Sequence, residues 1–459
     1  MYFFKKLFKG FFYLLAGLIL FLVASYWIVP PVTRALYDIP AIEAKLKTRL
    51  LPSDQPDIVR LEKKEKKIFR AVHLDTYLGV AGSALWQFPR FAYDYSVTLA
   101  DPRRHTIHAE DFGLFVDGDK AESDEILRRL DMLGVRSVAI RIYLTKEYVN
   151  SPAFRKNLAL AEVLKKSGRN LMLVLAQLNE SFTSELPHIL DRVVGDFSPY
   201  ADSYQIAETV NRSKWGMWSP RRYRRFMNGA FAAIRRYDPE AKTVGPSVID
   251  FEWYYTLYFW SLAEGRFDVL NTLLYVDRVR QPENRQHGFG TLDKIRIMKA
   301  VAPEKPLWIT EVNWPISGTG SYKPTSEKEA VNPEKYRDYM LRYLIIALAS
   351  GYVERVYWWQ LYARGYGLVD HLDGKKPYPA YACFGALLKI LDGATPVSEV
   401  RDEPYYRYFF SKKGKRFGLF WNKDGVQSRV EKSWECRDLV TRKPVTRYGA
   451  TPVVCEEKK

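Results

Sequence analysis

The sequence predicts an α/β chain built on a (β/α)8 TIM barrel, with an accessory β-sheet domain and an N-terminal transmembrane helix. Three observations carry this. From about residue 111, eight short apolar runs alternate with amphipathic helical patterns over roughly 280 residues. The runs are rich in Val, Ile and Leu without alternation, as in parallel strands buried on both faces. No glycine-rich turn follows the first run, so a doubly wound open sheet is disfavoured and closure into a barrel is expected.

The elements follow in order. Strand 113–118 precedes helix 123–134, and strand 137–144 precedes helix 153–168. Strand 170–177 is followed by a helix at 184–194, and strand 203–209 by a helix at 220–237. Strand 242–250 leads to helix 254–264, and strand 267–276 to helix 291–302. Strand 306–312 leads to helix 333–350, and strand 355–361 to helix 379–391.

Outside the barrel, residues 11–29 carry no charge and match the length of a helix crossing the hydrocarbon core. Lys5, Lys6 and Lys9 precede them, which keeps the amino terminus in the cytoplasm and sends the rest across. Tyr26 and Trp27 suit the far interface, and Pro30-Pro31 is expected to end the helix. Cleavage as a signal peptide is disfavoured, because no small-x-small site follows. The expected segments are a transmembrane anchor at 1–35, a linker at 36–68, a β segment at 69–110, the barrel at 111–395 and a C-terminal β domain at 396–459. The stretch 69–110 is rich in Tyr, Val, Leu and Phe with Gly and Pro breaks, and is expected to pack as strands with the C-terminal sheet.

Composition narrows the partners. Aromatics make up 15% of the chain, which favours a large core first and a sugar-stacking site second. The net charge of +17 admits nucleic acid, an anionic membrane surface or an acidic polysaccharide. The basic clusters at 63–67, 221–225 and 412–415 accompany no zinc spacing, RNP-like motif or helix-turn-helix pattern, so no nucleic acid is expected. Three cysteines are too few for a disulfide scaffold. Cys383 reads as a buried thiol; Cys436 and Cys455 could pair if their segment faces an oxidising compartment, and their spacing alone leaves that open.

A barrel carries its site at the carboxyl ends of its strands. There stand Arg141, Gln177, Glu180, Glu208, Thr209, Asn211, Trp215, Asp250, Glu252, Tyr275, Glu311, Trp358, Trp359 and Arg364. Glu311 directly follows the apolar run LWIT, a costly place for a carboxylate unless it is paired or functional. Arg141 and Tyr275 are the expected partners. A carboxylate beside aromatic platforms is what a retaining sugar-cleaving site requires. A structural ion pair with Arg141 is the alternative.

These residues resemble glycoside hydrolase clan A, particularly its xylosidase- and iduronidase-like members. The match rests on Trp308-Ile309-Thr310-Glu311-Val312-Asn313-Trp314, with Arg141, Tyr275, the run Tyr357-Trp358-Trp359-Gln360-Leu361 and Gly365-Tyr366-Gly367-Leu368. The resemblance implies Glu311 as nucleophile, Trp358 or Trp359 as sugar platform and Tyr275 as a contact of the nucleophile. Gln177, Asn211, Trp215 and Arg364 complete the expected substrate-binding set. No metal or organic cofactor is required by such chemistry.

One position departs from the family. Where its pattern has Asn-Glu, this chain has Glu208-Thr209. Thr209 therefore occupies the general acid/base position, and a threonine hydroxyl is too weak an acid to protonate a leaving oxygen. Three readings follow: Glu208 takes the role through a one-residue shift, another carboxylate (Glu180, Asp250 or Glu252) serves, or the site does not hydrolyse. The expected protein is a retaining β-glycosidase or transglycosylase acting on cell-envelope or exported polysaccharide. It would sit in the inner membrane as a single-pass protein, its catalytic domain facing the periplasm or exterior, beside envelope polysaccharide machinery. The alternative is a catalytically impaired glycan-binding protein in polysaccharide assembly or export.

Overall fold

In a computed structural model, the described residues are all but 1, 46–47, 52–55, 59–61, 101, 103, 218, 277–279, 321–329 and 459; within helices and strands, the side chains at 2–16, 19, 49, 56–58 and 99–100 also lie outside the description. Eight parallel strands close into a barrel: β1 (Phe112–Phe115), β2 (Ser137–Tyr143), β3 (Asn170–Ala176), β4 (Ser203–Ile206), β5 (Lys242–Ile249), β6 (Val269–Leu273), β7 (Leu307–Val312) and β8 (Val353–Trp358). β8 pairs with both β7 and β1, which completes the ring. The continuous apolar runs thus go where they must, with one face toward the barrel interior and the other toward the helices.

The amino-terminal elements are helices α1 (Tyr2–Leu36), α2 (Ile39–Ala44), α3 (Lys63–Val72) and α4 (Leu74–Ala100). The barrel helices are α5 (Ser123–Leu133), α6 (Pro152–Lys166), α7 (Leu186–Phe197), α8 (Pro220–Tyr237), α9 (Trp253–Leu262), α10 (Thr291–Lys299), α11 (Pro333–Ala349) and α12 (Pro379–Leu391). Several starts are fixed locally. In α6, α8 and α11 a Ser or Asn side chain caps the first turn and proline opens the helix.

The expected β segment at 69–110 is wrong for residues 69–100, which form the end of α3 and all of α4; beyond them Ile107 makes a single β-bridge, to Ala394. The buried positions Phe69, Val72, His73, Thr76, Val80, Phe91 and Thr98 recur at helical spacing, and that period outweighs the β propensity of Tyr and Val. α4 packs on α9 and α10, with the Phe91 ring stacked on Trp253 at 4.9 Å. The linker is structured in part. It holds α2 and a two-stranded ribbon of Thr48–Leu50 with Pro56–Ile58.

Pro30-Pro31 does not end α1, which continues to Leu36. Proline's fixed φ is itself helical, and only the carbonyls four residues earlier, Tyr26 and Trp27, lose amide partners. α1 packs against α3 and α4, and Arg34 donates to the Val72 carbonyl at 3.2 Å. Among the described residues, no helix is long and apolar enough to cross a membrane. Much of the apolar run lies among side chains outside those described.

The C-terminal domain is an antiparallel sheet of β9 (Thr395–Asp402), β10 (Tyr405–Lys412), β11 (Lys415–Asn422), β12 (Trp434–Asp438), β13 (Pro444–Val445) and β14 (Val453–Glu457). Its order is β9-β10-β11-β14-β12-β13. Cys436 and Cys455 face each other on β12 and β14 and form a disulfide; Cys383 is a buried free thiol. Arg342 of α11 and Glu283 join barrel to sheet, since the Trp421 indole of β11 donates to Glu283 at 2.8 Å.

Candidate active site

A cavity of about 820 Å³ opens at the carboxyl ends of the strands, as a barrel demands. Glu311, near the end of β7, lies on its floor with 4% exposure. The Tyr275 hydroxyl donates to Glu311 Oε1 at 2.6 Å, and Arg141 Nη2 donates to Oε2. The Arg141 guanidinium lies over the rings of Phe115, Trp215 and Trp359, at 5.5, 5.2 and 5.3 Å from their centroids. Aromatic faces and two carboxylates together hold the cation in a buried place. Burial, reinforced by the neighbouring Glu311 charge, pushes the Tyr275 phenol well above its ordinary range, so it remains a donor.

Beyond β4 the backbone leaves strand geometry. Ala207 and Thr209 both take left-handed φ, at 71° and 49°. Gln177 clamps this turn: its amide nitrogen donates to the Glu208 carbonyl at 2.5 Å, and its oxygen accepts from the Glu208 amide at 3.0 Å. The two neighbouring side chains stay in contact, the Thr209 hydroxyl donating to Glu208 Oε1 at 3.4 Å, but only one of them reaches the cavity. Thr209 lines the cavity, whereas Glu208 is fully buried and does not.

Glu208 Oε2 is 3.5 Å from Arg141 Nη2 and accepts from Gln205 at 3.1 Å, and Glu208 Oε1 accepts from the Thr209 hydroxyl at 3.4 Å. One guanidinium thus serves two carboxyl groups. Burial, with the Glu311 charge added and Arg141 opposing, raises the Glu208 carboxyl well above the usual carboxylate range. Retaining chemistry needs two carboxyl groups about 5–5.5 Å apart with the sugar between them. Glu208 stands where the resemblance places Asn, and it lies buried beneath the cavity without lining it.

Other expected site residues divide. Trp215, Tyr275, Trp359 and Arg141 line the cavity. Trp358 points outward into the helix layer, stacked on Trp314 at 6.0 Å with its indole donating to Tyr336 at 2.9 Å. Successive strand residues face opposite ways, so only one of the two tryptophans reaches the cavity. Gln177 is spent on the Glu208 backbone. Asn211 bridges to the Ile249 backbone, at 3.0 Å in both directions, and to Glu252 at 2.8 Å. Arg364 pairs with Asp370 at 2.9 Å. These three are structural ties rather than cavity groups.

Among the alternative acids, Glu180 accepts from the Thr48 amide at 2.6 Å and is absent from the cavity wall. Asp250 and Glu252 do line it, and both pair with Arg212, at 2.6 and 2.9 Å. Residues beyond the strands complete the wall: Phe251, His287, Phe289 and Tyr366 from loops, and Trp253 and Tyr254 from the first turn of α9. Tyr366 belongs to the run Gly365-Tyr366-Gly367-Leu368 already matched in the sequence; for the others the only signal was their place after strands β5 and β6. Among the described residues, no cluster of His, Cys, Asp and Glu is placed to hold a metal.

No protein-family model matches the chain, and no curated protein does. Solved structures do. A family 39 glycoside hydrolase from Bacteroides cellulosilyticus WH2 superposes with a TM-score of 0.58 at 14% identity, over 77% of this chain and 82% of that one. A family 30 endoxylanase from Clostridium papyrosolvens C71 gives 0.53 at 12%, over 78% and 98%. A family 39 beta-xylosidase from Caulobacter crescentus gives 0.51 at 13%, over 76% and 96%. The chain thus shares the eight-stranded barrel fold of clan A glycoside hydrolases, with an antiparallel sheet appended.

Proposed function

We propose that this protein processes glycans by retaining chemistry at Glu311, on donors whose leaving group departs without protonation. The observation that carries this is the Glu311 carboxylate, held by Tyr275 and Arg141 on the floor of an aromatic-walled cavity where Thr209 fills the acid/base position and the other lining carboxylates, Asp250 and Glu252, are paired with Arg212. Glu311 bonds to the anomeric carbon as the bond to the leaving oxygen breaks, and that oxygen leaves with the electron pair. Water or a sugar hydroxyl then attacks the same carbon, frees Glu311 and releases its proton to solvent. A sugar linked through phosphate is such a donor.

The protein is anchored by the apolar run 11–29, behind Lys5, Lys6 and Lys9, in the inner membrane with the barrel outside. The Cys436–Cys455 disulfide supports an oxidising compartment. Its substrate is envelope or exported polysaccharide. A second reading, binding without turnover, is favoured by Thr209 itself.

The test is incubation with a panel of dinitrophenyl 2-deoxy-2-fluoroglycosides, followed by mass spectrometry. Retaining chemistry adds one sugar to the Glu311 peptide, and Glu311→Gln abolishes the adduct. A panel that labels nothing, with oligosaccharide affinity unchanged by Glu311→Gln, establishes the binding reading instead.

A further inference from the structure

Helix α4 has one face against the barrel and one face open. The open face presents Tyr77, Leu85, Trp86, Phe88, Tyr93 and Val97, with Trp86 87% and Leu85 78% exposed. Arg90 is the one charged residue among its exposed positions, and it pairs with Asp94 at 3.5 Å. A stripe of this size and composition is unusual on a surface that meets only water.

Its borders are cationic. α3, which packs against α4, exposes Lys63, Lys64, Lys66 and Lys67. On α8, Arg221, Arg224 and Arg225 are exposed, and Arg221 reaches Asp75 at the start of α4 at 4.0 Å. α1, packed on the same helix, exposes Phe21, Val23, Trp27 and Ile28. An apolar stripe with Trp and Tyr, flanked by lysines and arginines, is the chemistry of a helix lying in the interface of an anionic bilayer.

We infer that the open face of α4 docks on an anionic phospholipid bilayer, with the α3 lysines and α8 arginines against the headgroups. This needs no span by α1; it concerns how the barrel lies once at the membrane. One consequence reaches the site. Trp253 lines the cavity and stacks on Phe91 of α4, so the cavity rim lies next to the docked helix.

The test uses the full chain in vesicles containing phosphatidylglycerol, with Trp86→benzoylphenylalanine and Tyr93→benzoylphenylalanine as photoprobes. Val426→benzoylphenylalanine, on the C-terminal domain, is the control. Lipid adducts at 86 and 93 but not at 426 support docking. Arg221→Gln with Arg224→Gln and Arg225→Gln lowers the adduct yield by roughly tenfold or more, the scale set by three cations at an anionic surface. Cross-links to a second copy overturn the proposal in favour of self-association. Vesicle flotation is read in parallel. A chain that floats without lipid adducts overturns docking and leaves the α1 anchor standing, and one that does not float overturns both.

Discussion

Glu208→Gln tests the central electrostatic claim. Glu208 is fully buried, and Arg141 is shared with Glu311, so two ionised carboxylates would leave one buried negative charge uncompensated. Such a charge costs several kcal/mol, more than the roughly 1.4 kcal/mol per pH unit needed to keep a proton on Glu208. The folded-state value is raised, so the stabilising contribution is complete below the unfolded carboxyl's ordinary range and is lost as pH rises toward the folded value. Unfolding then releases a proton, and wild-type stability falls with pH where the glutamine variant's does not. The difference grows by at most about 1.4 kcal/mol per pH unit, over the range in which the folded carboxyl holds its proton and the unfolded one does not. The assay is urea unfolding of both proteins at pH 5, 6 and 7, followed by tryptophan fluorescence. Parallel pH profiles would refute the argument, and so would a wild-type advantage that grows with pH, the mark of an ionised Glu208 paired with Arg141.

Three further predictions follow from the same geometry. Thr209→Glu places a carboxyl in the cavity wall, and hydrolysis of unactivated glycosides should rise by about 10²–10⁴-fold, the usual contribution of an acid/base; steady-state assays on activated and unactivated pairs check this. Trp358→Ala should cost roughly 3–5 kcal/mol of stability and leave oligosaccharide affinity unchanged, whereas Trp359→Ala should weaken binding, as urea unfolding and calorimetry would separate. Cys436→Ser with Cys455→Ser opens a loop of sequence separation 19 and should destabilise the C-terminal sheet by about 3 kcal/mol, read as an earlier thermal transition.

Legibility in the sequence followed the range of the signal. The helix at 220–237 and that at 379–391 were read at both ends, because proline at the first turn and helical periodicity are local marks. Glu311, Arg141 and Tyr275 were read together from their strand ends, and the structure brings them within hydrogen-bonding reach. The segment 69–100 was misread because the aromatic and β-branched content of Thr76–Val80 and Phe88–Thr98 masks a helical period visible only over several turns. Gln177, Asn211 and Arg364 looked like substrate groups by position, yet each is occupied by a partner far away in sequence or across a loop.

The sequence by itself determined the barrel, its strand order and the Glu311 carboxylate at a strand's end. These depend on periodicity and on which residue follows an apolar run. Only the tertiary structure decided what Glu208 and Thr209 do. Two left-handed residues turn the backbone after β4, so adjacent side chains go to different environments, one to the cavity and one beneath it. There Glu208 meets Arg141 and Glu311 from other strands, and its protonation is set by shared burial and charge, which no local pattern encodes.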